Sequence, residues 1–493
     1  MHPALQIQEI LLNIFGHCFP PSGWEATADL AALARTCHAF KDPALDVLWE
    51  ELFDLSPLAR CLPEACYQES TKCYSLHRKL TQSEWDILQS YTRRIRSIRT
   101  LFGIDRQTAQ RLWRAPTPSS FFPSLRHLHI EYSRRAVHLL LMPLPSLVSL
   151  TVIVHSLRLL EDSLKSLSQT SPSLCKLLLQ PHRVNMDHFD PAFMCQWRHL
   201  RNVVCSGIFL DVTTLVHLSR MSALTQLEFK LRSTLPDQIS PYDSPLVFSH
   251  LEIFTLHSEF LGPIVHLLSQ TQFLAVEHFR ATIECRPSRQ DLSSFLASAQ
   301  TSGLCHTAQQ LSLCQEYIPG RTYAHTERPV LGFQYLQPFM AFIDLRGINL
   351  DIEWNVNLTE SELLTFVSGW PHLQTFYINE EWGWNTIGGI TPNGLVQLLQ
   401  ICPLLKTIGL AVDTRGYTTI PPSITLTSPS LELMDVLDSF IEEESVPAIT
   451  AFFTDIMLPS PSKNFSFWEG RVMRTSQNWE EYWGRWWGVS ESV

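Results

Sequence analysis

The phrase Leu-x-x-Leu-x-apolar recurs ten times, and it restricts the fold more than any other property of the chain. It stands at Leu125/Leu128/Ile130, Leu147/Leu150/Val152, Leu174/Leu177/Leu179, Leu200/Val203/Cys205, Leu224/Leu227/Phe229 and Leu251/Phe254/Leu256. It returns at Leu345/Ile348/Leu350, Leu373/Phe376/Ile378, Leu405/Ile408/Leu410 and Leu431/Met434/Val436. The first six starts are 22, 27, 26, 24 and 27 residues apart, and the last four 28, 32 and 26. Such a period predicts a solenoid, in which each unit buries its apolar face only by stacking on the next. The second and third positions lie two apart, so on a short strand both point inward. Helical stripes fill the intervals: Leu160, Leu164 and Leu167; Ile264, Leu267 and Leu268; and, after Thr391-Pro392, Leu395, Leu398 and Leu399. Six copies carry proline two residues before the first leucine (Pro123, Pro145, Pro172, Pro371, Pro403 and Pro429), which stops the preceding helix. Between Leu251 and Leu345 the spacing predicts two worn copies, around Val276/Phe279 and Leu311/Leu313, and a loop over Tyr317 to Pro329.

Ahead of the repeats lie three short amphipathic segments. In the first, Ile7, Ile10, Leu11, Ile14 and Phe15 form one stripe at helical spacing. In the second, Asp29 is the expected N-cap and Leu30, Leu33, Ala34 and Cys37 continue the stripe. In the third, Asp42 caps, Pro43 takes the first helical position, and Leu45, Leu48, Trp49 and Leu52 follow. So small a unit buries too little surface alone, so it docks on its own chain or offers an apolar face to a partner. From Lys79, Thr81 and Glu84 have capping-box spacing. Trp85, Leu88, Tyr91, Ile95 and Ile98 then form a stripe, with Arg93, Arg94, Arg96 and Arg99 on a solvated face.

The order of the N-terminal segments resembles an F-box, the module by which substrate receptors hold the Skp-type adaptor of cullin–RING ubiquitin ligases. Glu9, Ile10 and Leu11 match its opening, whereas Gln6 and Ile7 stand where the family has Leu and Pro. The Trp85 segment is similar to the helix that follows the F-box in fungal F-box proteins with degenerate leucine-rich repeats. SGWPHLQTFYI and ICPLLKTIGLAVD resemble the repeats of that group. The Asn or Cys expected three residues after the third apolar position is absent; Ser133, His155, His182 and Ile208 occupy it in the first four copies. Without an asparagine ladder the solenoid is expected to be irregular.

Composition narrows the function. The formal charge of −11 opposes general nucleic-acid and anionic-membrane binding, while leaving room for a local basic patch. Twelve cysteines in 493 residues are too few for a disulfide scaffold. The N-terminus has no signal-peptide pattern, so a cytoplasmic or nuclear location is expected. Cys61, Cys66, Cys73 and His77 could form a Cys₃His set, but without a tight CxxC pair buried structural cysteines are the better reading. His127 and His129 flank the inward Leu128 and are expected to face solvent or a neighbouring strand. No glycine-rich phosphate loop, GxSxG, HExxH or kinase signature is present.

After Glu442-Glu443-Glu444 repeat spacing stops. Trp468, Trp479, Trp483, Trp486 and Trp487 crowd the tail, the last four on one helical face that caps the solenoid or binds a partner, capping being preferred.

The expectation is therefore an α/β chain in which an N-terminal helical F-box-like module precedes an irregular leucine-rich-repeat solenoid. The expected divisions are a helical module (1–53), a helical linker (54–115), the solenoid (116–440) and a Trp-rich tail (441–493). The resemblance implies a non-catalytic receptor whose Leu5, Ile7, Ile10, Leu11, Ile14, Phe15, Leu30, Leu33, Cys37, Leu45, Leu48 and Trp49 bind the adaptor, and through it a cullin, or fill the module's own core. The repeats would bind a protein substrate, with no cofactor, metal, nucleic acid or membrane. A repeat scaffold unconnected with ubiquitin transfer is the alternative.

Overall fold

Each recurring phrase becomes one short parallel strand. A computed structural model gives the fold, and the residues it describes are 7–18, 24–63, 66–70, 73–100, 103–104, 106–113, 120–131, 136–154, 158–181, 189–233, 245–318, 328–385, 389–419, 430–457, 464–467 and 479–491. By internal contacts the chain forms two units, Met1–Phe229 and Lys230–Val493.

In the first unit the strands Glu51–Leu52, Ser97–Thr100, His127–Glu131, Ser149–Val154, Lys176–Pro181, Asn202–Phe209 and Gln226–Lys230 lie side by side in chain order. Their register follows the repeat: Leu52, Ile98, Leu128, Leu150, Leu177 and Val203 face one another in turn. In the second unit the order is Ile253–Ser258, His278–Ile283, Gln310–Gln315, Gly347–Asp351, Thr375–Ile378, Thr407–Gly409, Leu433–Asp435 and Asn464–Ser466. There the second position of every rung aligns: Phe254, Phe279, Leu311, Ile348, Phe376, Ile408, Met434 and Phe465. All eight are buried except Phe465, which is half-buried. The worn copies at Phe279 and Leu311 are thus full strands, while residues 319–327 of the predicted loop lie outside the described residues.

Between strands the chain returns by short helices whose apolar rows close the core: Leu160, Leu164 and Leu167 on Arg158–Thr170, and Ile264, Leu267 and Leu268 on Leu261–Ser269. Local chemistry sets their starts. Thr391 accepts from Gly394 N–H at 3.1 Å ahead of Pro392, and Thr359–Glu362 and Ser288–Asp291 form capping boxes. Buried indoles each find a carbonyl: Trp197 donates to Ser171 O, Trp370 to Phe342 O, Trp354 to Pro287 O and Trp382 to Gln315 O.

Several expectations are corrected. Ile95 and Ile98 are not on the Trp85 helix, which ends at Thr92; Ile98 is the inward residue of a strand paired with Leu52 and Leu128. Spacing of i, i+3 is common to a helix stripe and to the repeat phrase, so the residues alone did not separate them. Repeat structure also continues past Glu444, because Phe465 fills the rung after Met434. The stretch expected as a helical linker holds the antiparallel pair Tyr67–Ser70 and Cys73–Leu76, joined by Gly103–Ile104. The capping box of Thr81 and Glu84 forms, and Arg78 beside it holds the Glu84 carboxyl far below the usual range, helped by the Thr81 N–H.

Candidate partner-binding surfaces

Three helices make the N-terminal module: α1 (Gln8–Cys18), α2 (Trp24–Leu33) and α3 (His38–Leu48). Leu11, Phe15, Leu30 and Ala44 form its core, with Leu33, Ala34, Phe40, Val47 and Leu48 packed around them. The stripe on α1 spans roughly 140° of the helix circumference at 100° per residue, and the core uses only the Leu11–Phe15 side. The other side, Ile7, Ile10 and Ile14, stays in solvent at 47%, 36% and 39% exposure.

The predicted contact residues therefore separate into different roles. Leu5 lies outside the described residues. Leu11, Phe15 and Leu30 are buried, Leu33, Leu45 and Leu48 half-buried, and Ile7, Ile10 and Ile14 outward. Cys37 is not on the α2 stripe: that helix ends at Leu33, and Cys37 is the N-cap of α3 with no side-chain cap bond. Asp29 and Asp42 both fall inside helices rather than capping them, and Pro43 sits within α3. There Pro43 is buried, and its packing outweighs the single backbone bond it forgoes.

Trp49 is buried, its ring 4.4 Å from Tyr91 of the Gln82–Thr92 helix. Beside it Arg94, expected on a solvated face, is engaged. Its guanidinium contacts the Asp42 carboxylate at 2.6 Å and also pairs with Asp46, while Arg93, Arg96 and Arg99 are exposed. This clasp joins α3 to the Gln82–Thr92 helix and was missed in the sequence. No local signal marked it, since Arg96 and Arg99 border Ile95 and Ile98 just as Arg94 borders Ile95.

A second surface emerges in Lys230–Val493. The position where the repeat usually has asparagine carries acid on six consecutive strands: Glu259, Glu284, Glu316, Glu353, Glu381 and Asp413. Extending the position count beyond the first four copies would have found most of it. Glu353 is buried and meets Arg286 at 2.6 Å and Arg328 at 3.7 Å. Asp413 pairs with Arg415 at 2.7 Å. At the strand ends, Asp351 accepts the Glu381 N–H at 3.0 Å. Burial pushes its carboxyl up to about 7, with the charges of Glu380 and Glu381 adding to the rise against backbone donors. Burial likewise raises Glu380 and Asp435, the carboxyls repelling one another. The charge balance agrees: Met1–Phe229 has 23 Lys and Arg against 20 Asp and Glu, Lys230–Val493 has 14 against 28. The negative charge of the chain thus comes from the second unit.

Of the remaining candidates, the Cys73 side chain lies outside the described residues, and the two nearby thiols have local partners. The Cys66 thiol donates to Glu84 at 3.2 Å and the Cys61 thiol to Pro57 O at 3.2 Å. His127 is exposed and His129 lies 3.4 Å from Glu131. Cys314 and Cys402 are pushed up to about 12 by burial, which keeps them as thiols at neutral pH. Among the described residues no group of three His, Cys, Asp or Glu could hold a metal ion, and no helix is long and apolar enough to cross a membrane.

No protein-family model matches the chain, and no curated protein matches it. Among solved structures it is similar to an internalin from Listeria monocytogenes, at 11% identity over 94% of each chain and a TM-score of 0.28. It is also similar to the leucine-rich repeat-containing protein LegL7 from Legionella pneumophila, at 13% identity over 70% of this chain and 91% of that one, with a TM-score of 0.31. The repeat-solenoid architecture rests on this chain's own strand order and register.

Proposed function

We propose that this repeat protein is a non-catalytic substrate receptor of a cullin–RING, SCF-type ubiquitin ligase. The α1–α3 module holds a Skp-type adaptor, and the repeats hold the protein to be modified. One observation carries the reading: Ile7, Ile10 and Ile14 form an outward row on a helix whose core side is already filled by Leu11 and Phe15. An apolar row left in water is disfavoured by about 25 cal/mol per Å² of apolar surface, and a helical partner seated on it removes that cost. The Arg94 clasp and the Trp49–Tyr91 contact support the same role by fixing the module to the helix that leads into the repeats. Transfer chemistry belongs to other subunits, and the receptor contributes proximity.

The test is co-elution of the full chain with a Skp-type adaptor, repeated with Ile10→Asp and Ile14→Asp. These positions are outward, so the variants should remain folded by circular dichroism, unlike Leu11→Asp, which would charge the core. Co-elution of the natural chain, lost in both variants, is the expected result. Failure of the natural chain to co-elute sinks the ligase reading and leaves a repeat scaffold.

A further inference from the structure

The side chains of Trp468 and Trp479 lie outside the described residues, and the other three tryptophans of the tail divide between two tasks. On the helix Trp479–Ser490, Trp486 and Val489 are buried. The Trp486 ring lies 6.2 Å from Phe453 and 5.9 Å from Phe465, and its indole N–H donates to Ser439 O at 2.8 Å. These residues cover the last rung. Trp483 and Trp487 do not take part. They stack on each other at 5.1 Å, braced edge-on by Phe467 at 6.1 and 6.2 Å, and remain 37% and 43% exposed. Capping alone gives no reason for two large indoles in water.

The neighbours of the pair add an independent observation. Gly484 and Gly488 each follow one of the exposed tryptophans, and a Cβ at either would meet nothing within 4 Å. Internal packing therefore does not require glycine there, although glycine within a helix costs about 1 kcal/mol relative to alanine. What the glycines provide is a low shelf on the solvent side, where another chain can approach the indole edges.

Charge selects the occupant. The row Trp483, Trp487 continues at helical spacing to Glu491, whose carboxylate accepts the Trp487 indole N–H at 2.9 Å. Glu443, with its side chain 88% exposed, lies 3.9 Å from Arg485, which also donates to Ile441 O at 2.9 Å. Arg485 is the one basic residue of this helix, against Glu480 and Glu481. With Glu491 at the end of the row and 14 Lys and Arg against 28 Asp and Glu in its unit, the face would meet like charge in a second copy, and an anionic lipid surface would be repelled in the same way.

We propose that Trp483, Trp487 and the glycine shelf form a docking surface for a Lys/Arg-bearing segment of a partner protein. Its cations stack on the indole faces and its backbone lies over Gly484 and Gly488. Glu491 orients Trp487 and supplies a carboxylate at the end of the row. The surface is independent of the adaptor reading, since it lies on the last helix of the second unit.

Calorimetric titration of the full chain tests this, using an amidated nonapeptide of alternating Arg and Ala and its Glu-for-Arg counterpart. The arginine peptide should bind saturably and the glutamate peptide should not. Trp483→Ala/Trp487→Ala should weaken binding at least about tenfold. Gly484→Ala/Gly488→Ala, which favours the helix, should weaken it several-fold while thermal stability is kept or raised. Unchanged affinity in both double variants would overturn the proposal, because general charge attraction would then account for binding. Equal binding of the glutamate peptide would also overturn it. So would a concentration-dependent dimer in sedimentation that the tryptophan substitutions abolish, since the face would then serve a second copy.

Discussion

Asp351 and Glu353, two residues apart, meet burial in opposite ways. Glu353 is 3% exposed and is paired with Arg286 and Arg328. Asp351 is 5% exposed, and what it has is the N–H groups of Glu381 and Trp382 set against the charges of Glu380 and Glu381. Its carboxyl titrates at about 7 in the fold, against about 3.9 for an unperturbed aspartate. Between those values the folded chain keeps a proton that the unfolded chain has lost. The stability this group contributes is therefore full below the ordinary value and lost as pH rises through about 7. Asp351→Asn keeps an oxygen acceptor for the Glu381 N–H without the charge. It should be more stable than the natural chain at pH 8, by on the order of 2 kcal/mol, with the difference vanishing near pH 4. Urea midpoints at the two pH values decide it, and an equal offset at both would show that the carboxyl does not titrate in this window.

Helix α3 shows how an element can be legible in kind and misread in detail. Its apolar spacing was readable, but its start was not. Asp42-Pro43 has the form of a cap, yet the helix begins at His38, because burial of Pro43 and the clasp of Asp42 to Arg94 act over a distance of sequence that no local signal records. The hairpin Tyr67–Leu76 was unreadable for a different reason: Thr71-Lys72 between its strands lacks the Gly or Asn that marks a tight turn. Thr81–Glu84 and Thr391-Pro392 were read correctly, since capping is decided within four residues. The clasp makes its own expectation. The Arg94 side chain is 9% exposed, but Asp42 is 64% and Asp46 31% exposed, so solvent discounts the ion pairs. Arg94→Ala should cost about 1–2 kcal/mol, and Arg93→Ala less than about 0.5 kcal/mol. Hydrogen exchange should then show α1–α3 losing protection ahead of the strands in the Arg94 variant alone. Equal loss in both variants would remove the clasp as the cause.

At the scale of the molecule, the repeat was visible because stacking demands the same inward residues at every rung, and hydrophobic burial does not depend on their neighbours in sequence. The surfaces were not, because an exposed isoleucine, an acid rung and a buried tryptophan look alike until the rungs are stacked. Ile14 and Leu11 belong to one stripe in the sequence and to opposite environments in the fold. The same stacking has a consequence for how the second unit comes apart. Each rung touches its neighbours: Ile348 lies between Leu311 and Phe376, and Phe254 and Phe465 stand at the two ends of that register. Ile348→Ala removes buried methyl groups and should cost about 2–4 kcal/mol. In a nearest-neighbour stack the loss is local. Amide exchange should quicken most on Gln310–Gln315, Gly347–Asp351 and Thr375–Ile378, and least on Ile253–Ser258 and Asn464–Ser466. If every strand of the unit instead quickens by the same factor, the rungs unfold as one cooperative block. Contacts beyond adjacent rungs, such as Trp354 to Pro287 and Trp382 to Gln315, would then carry the coupling.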